Sequence, residues 1–93
     1  MNTTNMSNND RYFQTTNFYQ AVFLFAKGVE LVNVDKTISA RRATFVFVNC
    51  PEIEELLQAF DYGKENDPSV MVDIRKIAVA TRTLKEKLYQ DQF

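Results

Sequence analysis

The stretch Arg41 to Val48, RRATFVFV, constrains the fold more than any other part of the chain. Thr44, Val46 and Val48 alternate with Ala43, Phe45 and Phe47, so a strand here carries two aromatic rings on one face and β-branched residues on the other. Both faces are apolar. Such a strand has to be covered on at least one side and belongs in the centre of a small sheet, because Phe45 and Phe47 on an open edge would recruit other strands.

A chain of 93 residues makes one domain and buries roughly two-thirds of its unfolded surface. With eight Phe, two Gly and 45% hydrophobic residues it has the material for a core and is not a disordered composition. The lone Cys50 has no partner for an internal disulfide, so the cysteine pattern asks for no oxidising compartment. Histidine is absent, which removes the commonest metal ligand and general base and excludes a Cys/His zinc site. No metal and no cofactor is expected. Residues 1–10 are polar and rich in Asn, with neither an apolar run nor a basic start, and read as a disordered tail and not a signal peptide. Residues 91–93 read as a second, short tail to a domain spanning 11–90. The longest apolar run, Ala21 to Ala26, is far below the roughly 20 residues of a membrane span. A soluble cytoplasmic protein is expected.

Along the chain, Tyr12 to Thr15 reads as a short strand. Thr16 or Asn17 can cap a helix from Phe18 to Lys27 that is apolar over most of its circumference, and Asn17 with Gln20 three residues on approximates a capping box. Gly28 suits the left-handed position after that helix, with Val29 as the accompanying hydrophobic contact. Glu30 to Asp35 reads as a second strand, Lys36 to Ala40 as a hairpin turn, and Arg41 to Val48 as the third strand. Cys50 and Pro51 end it and open a second helix, with Glu52 and Glu54 at the positive end of the helix dipole and Ile53, Leu56, Leu57 and Phe60 as its core stripe. Gly63 stops it, and GKENDP over 63–68 is linker-like. Ser69 to Val72 is either a fourth strand or an extended lead-in to a last helix capped by Asp73 and reaching Leu88 or Tyr89. That helix has Ile74, Ile77, Thr81, Leu84 and Leu88 on one stripe. The fold class is therefore α+β, a small antiparallel sheet covered by helices in the order β-α-β-β-α-(β)-α. With a fourth strand the order is ferredoxin-like with an added C-terminal helix.

Charge is uneven. From Asn49 to Val72 six acidic residues face Lys64 alone, a net −5, whereas from Asp73 to Phe93 five basic residues face three acidic ones, a net +2. A total of −1 argues against nucleic-acid binding over the whole surface but allows one basic face. Arg75, Arg82 and Lys85 lie along one flank of the last helix, and Arg41 and Arg42 extend that strip if the hairpin tip approaches it. The plain alternative is a border of long basic side chains whose heads stay in water.

Two other readings carry less. An RNA-binding sheet would stack bases on Phe45 and Phe47, but Arg42, Ala43 and Thr44 replace the residues that such a motif requires, and burial of both rings fits equally well. The acidic set Glu52, Glu54, Glu55 and Asp61 reads as a solvated helix face, and Cys50 lacks a base to activate it.

In the order of its signatures the chain resembles a small uncharacterised family, a domain of unknown function, of bacteria, their phages and other mobile elements. The residues that carry the likeness are Tyr12-Phe13, Ala26-Lys27-Gly28, Arg41-Arg42 with Phe45-Val46-Phe47, Cys50 through Leu56, Asp73-Ile74-Arg75 and Leu84-Lys85. The resemblance implies a bacterial or phage setting and no particular reaction. With no histidine, phosphate loop or nucleophile-base pair, the chain is expected not to be an enzyme. The first expectation is an accessory protein that binds nucleic acid or a nucleoprotein through its basic C-terminal helix. The alternative is a protein-protein module, an inhibitor, adaptor or homodimer, in which Tyr62, Tyr89 and Phe93 supply contact area.

Overall fold

The alternating stretch becomes a central strand. In the computed structural model, which describes residues 11–36 and 42–89, β1 (Tyr12–Thr15), β2 (Leu31–Asp35) and β3 (Thr44–Val48) form one sheet in the order β1-β3-β2, antiparallel throughout. Phe45 and Phe47 are 2% and 0% exposed, while Thr44, Val46 and Val48 on the other face are half-buried. Only one face is covered, because the buried residues of the helices gather into a single cluster with the two rings.

The third strand starts at Thr44, opposite Asp35, and not at Arg41. Arg42 lies in a turn and Ala43 is already buried; Arg41 and the hairpin turn over 37–40 lie outside the described residues, as do the tails at 1–10 and 91–93. The second strand starts one residue later than its pattern implies, and a bulge between Leu31 and Asn33 turns Val32 outward.

Helix α1 (Phe18–Ala26) forms where local signals place it. Asn17 Oδ1 accepts from the Gln20 N–H at 3.1 Å, and at the far end the Gly28 and Val29 N–H groups donate to Phe25 and Leu24 carbonyls at 3.0 Å each. Gly28 has φ +99, the left-handed closure that needs glycine, and Val29 is buried beside it. Helix α2 (Glu52–Tyr62) follows Pro51 and ends at Gly63, which is extended at φ −63 and not left-handed. Glycine is needed there for another reason: a Cβ would lie 2.5 Å from the Ala59 carbonyl oxygen and 2.6 Å from Val70 Cγ1. Both helices and α3 (Ile74–Tyr89) share the covered face, with α1 packed against each of the others.

The segment after α2 is not a fourth strand. Asp67 accepts from the Ser69 N–H at 2.9 Å and its hydroxyl at 2.8 Å, which rolls Pro68–Val70 into a 3-10 turn before an extended Met71. β1 and β2 are both antiparallel to β3 and so parallel to each other across it, a split β-α-β unit. A second such unit would set a strand on the far side of β1; the chain builds α3 instead.

The stripe on α3 also shifts. Ile77, Ala80, Leu84 and Leu88 face the core with Thr81, but Ile74 is 74% exposed. Ile74 is the first residue of α3, where a side chain tilts toward and past the N-terminal end of its helix.

Candidate interaction surface

The basic residues of α3 begin in a local pair. Asp73 caps the helix, its Oδ1 accepting from the Arg75 N–H at 2.8 Å. The Arg75 guanidinium folds back on the same carboxylate, with Nε to Oδ1 at 3.3 Å and Nη2 to Oδ2 at 3.1 Å. These bonds, the side-chain ones foremost, hold the Asp73 carboxyl below the usual carboxylate range. The charge of Arg75 is thus largely matched on its own helix.

At the other end, Lys36 Nζ donates to the Lys87 carbonyl oxygen at 2.8 Å, which fastens the residue after β2 to the last turn of α3. Arg75 lies about 18 Å along the axis from Lys87. Arg82 stands one turn before Glu86 and beside Lys85. Arg42, Arg82 and Lys85 are exposed, and Arg75 is set apart from Arg82 and Lys85 by its pairing with Asp73.

Apolar residues share this helix surface. Ile74, Val79 and Tyr89 are 74%, 52% and 59% exposed, and Met71 just before the helix is 58% exposed. Arg75, Val79, Arg82 and Glu86 follow the spacing of one helix stripe, and Ala78, Arg82, Lys85 and Tyr89 that of the next. At the N-terminal end a shallow recess opens between Phe25 and Ala26 of α1 and Asp73, Arg75, Lys76 and Val79 of α3. Lys27 fixes the approach to it, donating to the Met71 carbonyl oxygen at 3.1 Å with its amine 5.6 Å from the Phe23 ring centroid. The periodicity of α3 assigned Ile74 to the core and so missed it. Its place directly after the cap, where a side chain tilts past the end of its helix, was the available signal.

The remaining candidates resolve simply. Phe45 is sealed in the core, edge-on to Phe18 at 5.9 Å, and Phe47 is fully buried, so neither ring can stack on a base. Glu52, Glu54, Glu55 and Asp61 are all exposed on α2, and among the described residues no three acidic or cysteine side chains are placed to hold a metal ion. Cys50 is half-buried, and burial first, then a hydrogen bond with Glu52, pushes its thiol up, away from the reactive thiolate. Among the described residues no helix is long and apolar enough to cross a membrane.

No curated protein and no solved structure matches the chain. A family model does: that of a domain of unknown function, DUF5659, matches residues 10–90, which takes in every described element from β1 to α3. The chain therefore belongs to the DUF5659 family.

Proposed function

We propose that this protein is a small non-enzymatic binding module that docks on another protein through the outward face of α3, around Ile74, Arg75, Val79 and Arg82. The observation that carries this reading is the exposure of Ile74 and Val79 on a helix whose inward face is already filled by Ala80, Leu84 and Leu88. Val79 lies in water between Arg75 and Arg82 on one stripe, with Ile74 at the helix start and Tyr89 at the far end, a mix of aliphatic, aromatic and arginine side chains that interfaces favour. The resemblance to a family of bacteria, phages and mobile elements supports a bacterial or phage setting for the module, and the lone Cys50 favours a cytoplasmic one.

Binding of nucleic acid or a nucleoprotein is the second reading. The exposed pair Arg82 and Lys85, three positions apart on the helix, favours it. Few phosphate contacts are on offer there, so that binding would be weak and steeply salt-dependent.

The two readings part on one comparison. Tagged wild type, Ile74→Ser/Val79→Ser and Arg82→Ala/Lys85→Ala are used to retain partners from a bacterial lysate at low and high salt, and are titrated with fluorescent DNA and RNA. A retained protein lost only with Ile74→Ser/Val79→Ser and kept at high salt supports the first reading. Nucleic-acid affinity lost only with Arg82→Ala/Lys85→Ala and at high salt replaces it with the second.

A further inference from the structure

The two edges of the sheet are built differently. β2 breaks its alternation with the bulge between Leu31 and Asn33 and ends on Asp35, two devices that discourage further pairing. β1 has neither: Tyr12–Thr15 is uncharged, contains no proline and holds unbroken register with β3. The Asn49 N–H donates to the Arg11 carbonyl at 2.9 Å, which makes Arg11/Asn49, Phe13/Phe47 and Thr15/Phe45 the hydrogen-bonded pairs of that ladder. The N–H and C=O groups of Tyr12 and Gln14 therefore point away from the sheet. Among the described residues no strand pairs with them. A second split unit would have put its strand along this edge, and a recess lined by Phe13, Cys50, Ile53, Glu54 and Leu57 lies beside it.

We propose that a second copy of this chain supplies the missing strand, β1 pairing with β1 antiparallel about a two-fold axis at Phe13. An antiparallel strand is its own complement. With Phe13 opposite its symmetry mate, Tyr12 of each copy faces Gln14 of the other, and their outward groups exchange both hydrogen bonds. The strand carries no charge to repel its mate, and the nearest one, Arg11, falls opposite Thr15. Phe13, half-buried in one copy, is covered by the Phe13 of the other on the recess side. The product is one six-stranded antiparallel sheet, β2-β3-β1-β1-β3-β2. This contact leaves the outward face of α3 untouched and does not depend on the function proposed for it.

Sedimentation equilibrium of the full chain tests this directly. The expected mass is twice the 10.8 kDa of one chain, with slow amide exchange at Tyr12 and Gln14. Gln14→Pro removes an outward N–H without touching the ladder to β3, and Gln14→Lys sets a charge against Tyr12 of the mate. Each should halve the mass and leave the far-UV circular dichroism unchanged. Should Gln14→Pro fail to fold, Gln14→Lys decides. A wild-type monomer at millimolar concentration overturns the proposal, as does a dimer that survives either folded variant. Slow exchange at Tyr12 and Gln14 in a monomer would assign the edge to another segment of the same chain.

Discussion

Helices α1 and α3 pack against each other yet divide their surfaces in opposite ways. α1 buries four consecutive residues, Ala21 to Leu24, which lie all round its axis; α3 buries Ala80, Leu84 and Leu88 and leaves Ile74, Val79 and Tyr89 in water. Phe18–Ala26 contains no charged residue, so enclosing it strands no charge. The sequence IRKIAVATRTLKEKLY carries six charges and must keep one side wet. The apolar residues of α1 other than Tyr19, which is 74% exposed, therefore have a folding role by default, whereas those on the wet side of α3 have none, and that is why Ile74 and Val79 point to a partner.

The comparison breaks first at the core. Leu24→Ala and Leu84→Ala remove fully buried side chains and should each cost about 2–5 kcal/mol in urea unfolding. A loss at Leu24 well below that at Leu84 would mean that α1 is less enclosed than its burial implies. Leu57, only half-buried at the rim of the same cluster, should lose about 1 kcal/mol when truncated to alanine. Gly28→Ala should cost about 1–2 kcal/mol through backbone strain alone, since nothing lies within 4 Å of the added Cβ. On the wet side of α3, Ile74→Ser and Val79→Ser should shift stability by no more than about 0.5 kcal/mol while abolishing partner retention. A large stability loss there would return both residues to the core.

The smallest effect is at the start of α3. The depressed carboxyl of Asp73 adds stability at pH values above the ordinary carboxylate range, and that contribution fades as pH falls through its lowered folded value. The pair is exposed and screened, so the difference in melting midpoint between wild type and Asp73→Asn should be small at neutral pH and vanish in strong acid. A difference that grows on acidification would contradict the cap.

Much of the architecture was legible. The alternation over Thr44 to Val48 named the central strand, Asn17 and Gly28 bounded α1, and Asp73 opened α3, each because the signal acts within one turn or one strand. The candidate surface was legible only in half. Arg42, Arg82 and Lys85 were found from charge and Tyr89 as contact area, but Ile74 was assigned to the core and Val79 was not singled out, since spacing says which residues share a side and not which of them a neighbour covers.

By itself the sequence determined the elements, their order and the need to cover Phe45 and Phe47, because caps, turns and periodicity are set by residues a few positions apart. The tertiary structure alone decided that Lys36, just after β2, bonds to the end of α3 and that Ile74 stays in water. The first turns on a contact across 51 positions of the chain and the second on which sides of a helix its neighbours cover, and no local pattern encodes either.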